Sequence, residues 1–135
     1  MKNKPVILVV DDQLQNNELL EAYLVPQGYE IVRAASGEEA LEKLGHNKID
    51  LILLDIMMPK MSGLEVLERV RADEKTKAIP VVMVTALKET EDKVKALEAG
   101  CDDFISKPFD KVELLARVKS ILKISCYLTA LGQEK

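Results

Sequence analysis

At 135 residues, with 47% apolar and 31% charged side chains and only six Gly and five Pro, the chain is one domain long and able to bury a core without disulfide or metal staples; long disordered tracts are excluded. Cys101 and Cys126 show no Cys-x-x-Cys spacing and lie far from the single histidine, His46, which excludes a zinc motif. A formal net charge of −4, with no Arg/Lys cluster interleaved with aromatics, excludes a field for holding a phosphate backbone, so no direct nucleic-acid binding is expected.

In chain order, Val6 to Val10 reads as a strand; the run meets Asp11-Asp12 instead of a small-residue cleavage site, so it is not a signal peptide. Leu19, Leu20, Tyr23 and Leu24 recur at helical spacing and stop at the breaker cluster Pro26-Gln27-Gly28. A second strand is expected from Glu30 to Ala34. Ser36-Gly37-Glu38-Glu39 then reads as a capping box ahead of Ala40, Leu41 and Leu44, with Ser36 accepting from an orphan amide and Glu39 reaching back. Strand three spans Leu51 to Leu54, and Leu64, Val66, Leu67 and Val70 mark the next helix. Val81 to Val84 is the fourth strand; Val94, Leu97 and Ala99 before Gly100 mark a helix with glycine as its stop. The short Asp103 to Ile105 is the fifth strand. Asp110 to Glu113 repeats the capping-box pattern before Leu114, Leu115, Val118, Ile121 and Leu122. No apolar stretch approaches the roughly 20 residues of a membrane helix, and the cytoplasm is the expected compartment.

Alternating strands and helices give a five-stranded open α/β sheet with helices on both faces. The first, third and fourth strands are nearly continuous apolar runs suited to burial on both sides; the mixed second and fifth suit the edges. Ligand sites in such sheets form beyond the carboxyl ends of the strands. There the sequence places Asp11 and Asp12 after strand one, Asp55 after strand three, Thr85 after strand four and Lys107 just past strand five. Three converging carboxylates repel one another unless a cation sits among them, and hard divalent ions prefer such oxygens, which points to Mg²⁺, with Mn²⁺ as a substitute. Metal, lysine and a carboxylate nucleophile are also what transfer to an aspartyl phosphate asks for, with Asp55 as that nucleophile.

Val9-Val10-Asp11-Asp12, Leu53-Leu54-Asp55-Ile56-Met57-Met58-Pro59 with Ser62-Gly63 downstream, Val84-Thr85-Ala86 and Ser106-Lys107-Pro108-Phe109 together resemble the signature set of response-regulator receiver domains, over roughly residues 5 to 123. The resemblance implies a flavodoxin-like (βα)5 fold with strand order 2-1-3-4-5. It implies Asp55 as phosphoryl acceptor, Asp12 and Asp55 as direct Mg²⁺ ligands, Asp11 acting partly through water, and the backbone carbonyl of Met57 completing the set. Lys107 would pair with the acyl phosphate, and the bond before Pro108 would be cis. Thr85 and Phe104 would form the switch pair, the hydroxyl moving toward the phosphate and the ring swinging inward. Met57 and Leu87 stand at the positions that tune phosphate lifetime; both are apolar, which predicts poorly oriented water and a long-lived phosphorylated state. The donor would be a sensor histidine kinase or a histidine phosphotransfer protein, and the module would be a signalling phosphoacceptor that assists its own phosphorylation and dephosphorylation, not an enzyme by role.

The face of helix four, strand five and helix five would carry the output, to a partner, an attached effector domain or a second copy. The run around Asp55 and Thr85-Ala86-Leu87 also resembles receivers that precede cyclic-dinucleotide synthases or phosphodiesterases. These 135 residues contain no effector domain, so the chain is either a stand-alone receiver or a fragment. Residues 124–135 read as a helix extension or linker: Val118, Ile121, Ser125 and Leu128, with Leu131 beyond, follow a 3-4 spacing that suits a seam, against the alternative of a frayed helix end finished by Gly132. Two other classes fit these residues less well. A phosphatase with an aspartyl-phosphate intermediate would carry Asp-x-Asp after strand one and an inserted cap; a flavin- or nucleotide-binding protein would need a Ser/Thr/Gly-rich loop where Asp11-Asp12 would repel phosphate. Taken singly, Asp11 reads as a turn former, Cys101 and Cys126 as small buried hydrophobes, and His46 as a surface cation suited to a helix end.

Overall fold

Three short runs rich in Val, Ile and Leu and two mixed ones pair into one parallel sheet: β1 (Val6–Val10), β2 (Glu30–Ala34), β3 (Leu51–Asp55), β4 (Val81–Thr85) and β5 (Asp103–Ser106). The computed structural model describes residues 4–86 and 90–133. The sheet order is β2-β1-β3-β4-β5, as expected, with every neighbouring pair parallel. Strands β3 and β4 are buried along their whole length, whereas most residues of β2 and β5 are half-buried or exposed, so the mixed sequences do take the edges. Three strands run one residue further than their apolar content indicated. Asp55 and Thr85 are therefore the last residues of β3 and β4, and Ser106 the last of β5.

The helices are α1 (Leu14–Leu24), continued by a 3-10 turn at Val25–Gln27, then α2 (Gly37–His46), α3 (Gly63–Ala72), α4 (Thr90–Ala99) and α5 (Lys111–Gln133). They divide between the faces. Ala40, Val66, Leu67, Val70 and Ala96 from α2, α3 and α4 pack with Leu8, Val10, Ile52, Leu54, Val81 and Met83 on one side. Leu20 and Leu24 from α1 and Leu114 and Val118 from α5 pack with Ile7, Val9, Leu51, Leu53, Val82 and Val84 on the other. Burial of each such Val, Leu, Ile or Met side chain is worth about 1.5–3 kcal/mol, and the two layers hold the strand ends in fixed register.

Helix ends follow their local chemistry. Ser36 Oγ accepts from the Glu39 amide, and Glu39 Oε1 accepts in return from the amide of Ala35, one residue further upstream than a standard capping box. Ser62 caps α3 by accepting from the Glu65 amide. Gly100, at φ +101°, closes α4 with Gly100 N–H donating to Leu97 O and Cys101 N–H to Ala96 O, a Schellman arrangement. At α5 the expected reciprocal box is absent: Asp110 Oδ1 accepts from the Val112 amide, but Glu113 pairs with Arg117 instead of reaching back.

Several apolar positions also differ from their expected roles. On α4, Val94 and Leu97 are exposed, and among the described side chains of that helix the small Ala96 is the one buried. Leu19 on α1 is partly exposed, and the face buried there is Asn17, Leu20 and Leu24. Val118 is fully buried in its own core, so it cannot belong to a seam open to a partner; the side chains of Ser125, Cys126, Leu128 and Leu131 lie outside the described residues. Cys101 is buried, its thiol pushed up to about 11 by burial and then by the charges of Asp102 and Asp103. His46 is exposed at the end of α2.

Candidate functional site

Parallel register brings the strand ends to one edge of the sheet, and three carboxylates meet there: Asp11, Asp12 and Asp55 each offer an oxygen, all within 4.8 Å of one another. Asp11 follows β1 and is buried; Asp55 closes β3 and is buried; Asp12 is exposed at the rim. Lys107, just past β5, bridges the two buried carboxylates, with Nζ 2.9 Å from Asp11 Oδ2 and 3.3 Å from Asp55 Oδ2. Its backbone amide donates to Thr85 O at 3.0 Å, tying the β5 loop to the end of β4, and the bond from Lys107 to Pro108 is cis. Thr85 is buried at the end of β4. Phe104, in β5 opposite Met83, is half-buried against the α2–α3–α4 side of the core. Met57 is 62% exposed beside the acid cluster, and its amide donates to Asp55 Oδ1 at 3.3 Å. Leu87 lies outside the described residues.

Electrostatics at this edge are unequal. Burial raises the carboxyl of Asp55 above its ordinary value; Lys107 opposes this and the Asp11 charge adds to it. For Lys107, burial alone would lower the ammonium, but the hydrogen bond to Asp11 and the charges of Asp55 and Asp11 outweigh it, and the net direction is up. The two directions are compatible: Lys107 faces two carboxylates, whereas Asp55 faces one cation and a second anion. The cluster is thus short of positive charge, the setting in which a divalent cation binds. An octahedral Mg²⁺ places opposed oxygens about 4.2 Å apart, so the carboxylates stand within a small side-chain adjustment of the required spacing.

Other residues shape the site without having stood out in the sequence. Asp11 is held by the Gln13 amide at Oδ1 (2.9 Å) and by Asn16 Nδ2 at Oδ2 (2.9 Å), so it forms a turn and serves the cluster at once. Buried Asn17 donates from Nδ2 to Asp11 O (3.0 Å) and Ala34 O (3.1 Å), stitching the ends of β1 and β2 together. Its helical spacing with Leu20 and Leu24 is the signal that would have marked it as inward-facing. Gly63, quoted above only as part of a motif, has a physical reason: a Cβ there would stand 2.1 Å from Asp55 O, and its amide donates to Ile56 O at 2.9 Å. The start of α3 thus presses directly against the backbone that carries Asp55.

Comparison with known proteins agrees with this arrangement. The profile of the response regulator receiver domain matches residues 7–119. The chain is 46% identical over 119 residues to the alkaline phosphatase synthesis transcriptional regulatory protein PhoP of Bacillus subtilis, a match covering 88% of this chain and 49% of PhoP. It is 43% identical over 129 residues to the response regulator PleD of Caulobacter vibrioides, covering 96% of this chain and 28% of PleD. It therefore spans about half the length of one of these relatives and little more than a quarter of the other. A CheY-like response regulator receiver domain protein from Methanospirillum hungatei superposes with a TM-score of 0.86 at 32% identity, over 91% of this chain and 97% of that one. Among the described residues no helix is long and apolar enough to cross a membrane. The fold, the acid cluster and these matches together place the chain in the response regulator receiver family, the signalling phosphoacceptor domain of two-component systems.

Proposed function

We propose that Asp55 is the phosphoryl acceptor of this receiver, and the observation that carries the reading is the meeting of Asp11, Asp12 and Asp55 within 4.8 Å with Lys107 bridging two of them. The donor is a phosphohistidine on a sensor kinase or a histidine phosphotransfer protein. The phosphorus–nitrogen bond of the donor breaks as a bond forms from phosphorus to a carboxylate oxygen of Asp55. Asp12 and Asp55, with Asp11 partly through water and the Met57 carbonyl, would hold Mg²⁺ or Mn²⁺. Bound there, the ion neutralises charge on the transferring phosphoryl oxygens. Lys107 exchanges its present carboxylate partners for the new phosphate, Thr85 donates its hydroxyl to it, and Phe104 turns further inward as the threonine moves.

The receiver comprises residues 5–123, with 124–135 as a helical extension or linker toward an effector domain, and the module works in the cytoplasm. Its output face is α4–β5–α5, through which it contacts a partner, an attached domain or a second copy. It assists its own dephosphorylation, and slowly: Met57 beside the acceptor offers no group to orient an attacking water. The test is intact-mass spectrometry after incubation with acetyl phosphate and Mg²⁺. A phosphoryl adduct present in the wild type, and absent from Asp55→Asn and from a metal-free control, is the expected result. No adduct from acetyl phosphate or from any phosphorylated kinase would remove the reading, and a dephosphorylation half-life of seconds would remove the claim of a long-lived state.

A further inference from the structure

Two asparagines, Asn16 and Asn17, stand in succession in the first turn of α1, a position where neither favours helix. Gln13, ahead of the turn, makes no side-chain cap, and the turn holds no acidic residue. Both asparagines reach out of the helix, back to Asp11. Asn17 is buried and spends its Nδ2 on the carbonyls of Asp11 and Ala34, leaving its own Oδ1 without a partner among the described residues. The start of α1 is thereby tied to the ends of β1 and β2, and Asn16, half-buried, is presented to the Asp11 carboxylate from a fixed turn.

An ionised carboxylate offers about four lone-pair sites, two on each oxygen. On Asp11 the Gln13 amide takes a site at Oδ1, while Asn16 Nδ2 and Lys107 Nζ, each at 2.9 Å, fill Oδ2. What Asp11 has left for a cation or its water is the remaining site on Oδ1, and the direction of that site is set by the rotation of the carboxylate. The two donors at Oδ2 that hold this rotation are not equivalent. Lys107 is shared with Asp55 at 3.3 Å, cancels charge in the cluster, and under the acceptor reading is drawn away by the phosphate. Asn16 is neutral, so it orients Asp11 without cancelling the charge that attracts the ion. Hydrogen-bond partners standing behind a metal-binding carboxylate ordinarily control affinity by about 10–100-fold.

We infer that Asn16 is a positioning residue of the acid cluster: by holding Asp11 Oδ2 it fixes the rotation of that carboxylate and so sets the affinity of the site for Mg²⁺. The inference rests on the reading of the cluster given above, and it concerns ion binding ahead of any phosphoryl transfer.

A Mg²⁺ titration of the full unphosphorylated chain, labelled with ¹⁵N and read from the amide shifts of Asp12 and Met57, tests it. Asn16→Leu, similar in size but without a donor, is expected to weaken Mg²⁺ binding roughly tenfold while metal-free thermal unfolding stays where it is in the wild type. Asn16→Gln, which keeps the amide, is expected to recover most of the loss, and Gln15→Leu, at the exposed neighbour in the same turn, to leave binding unchanged. Wild-type or tighter binding in Asn16→Leu would overturn the inference. So would a loss matched by a lowered unfolding temperature, an equal loss in Gln15→Leu, or an Asn16→Gln that binds no better than Asn16→Leu. The acceptor reading fails separately, through the absence of a phosphoryl adduct on a wild type that still binds Mg²⁺.

Discussion

The carboxylate of Asp55 is ionised at a cost, because burial and the neighbouring Asp11 both disfavour its charge and one lysine does not fully compensate. Replacing it by Asn should therefore stabilise the metal-free protein at neutral pH, read as a raised urea midpoint. The sign of the pH dependence follows from the raised value. The folded state binds the Asp55 proton more readily than the unfolded chain does, so Asp55 costs nothing below the ordinary carboxylate value and its full amount above the raised one. The advantage of Asp55→Asn should thus shrink as pH falls into the acid range. Gly63 works at the same scale from the other side. A methyl group 2.1 Å from Asp55 O must push the start of α3 away, so Gly63→Ala should cost about 1–3 kcal/mol in thermal unfolding and also lower the rate of adduct formation, because the displaced backbone is that of Asp55. Asp55 was legible in the sequence because its type and its place after an apolar run both announce chemistry. Asn16 and the reason for Gly63 were not, since a side-chain contact to Asp11 and a close backbone approach leave no pattern in the sequence, and Asn17 showed only through its helical spacing with Leu20 and Leu24.

Elements were legible where one local rule decided them. Continuous apolar runs gave the central strands, mixed ones the edges, and glycine the end of α4. The rules failed where the partner mattered as well as the pattern. Glu113 had a capping geometry available but found Arg117, which is also held by Asp103 at 2.7 Å, and Val94 and Leu97 were apolar without being inward. Arg71 of α3, whose side chain joins several elements, has no motif at all. Its guanidinium donates to Gly100 O at 2.9 Å, Lys77 O at 3.1 Å and Ile79 O at 2.6 Å, and pairs with Asp102 at 2.9 Å, while Asp102 accepts from the Val81 amide at 2.7 Å. One cation thus secures the end of α4, the entry to β4 and the turn into β5. Arg71→Leu, which keeps the aliphatic stem but strands these acceptors, should destabilise by about 2–3 kcal/mol in chemical denaturation and raise amide exchange at Val81 and Gly100 before it does so in β1.

For the molecule as a whole, an ion bound only by the folded state must add to its stability by mass action. Millimolar Mg²⁺ should raise the melting temperature of the wild type and do so much less for Asp12→Asn, whose exposed carboxylate lies outside the core, so that the variant reports on binding and not on folding. A shift equal in both proteins would mean the ion binds elsewhere. The sheet itself has a thermodynamic consequence. It separates the apolar interior into two compartments that share only the strands' backbone, one closed by α2, α3 and α4 and the other by α1 and α5. Cavities opened on opposite sides have no common neighbours through which to relax. The cost of Val66→Ala and that of Leu114→Ala should therefore sum in the double variant to within about 0.5 kcal/mol, whereas Val66→Ala and Val70→Ala, which share one compartment, should depart from additivity.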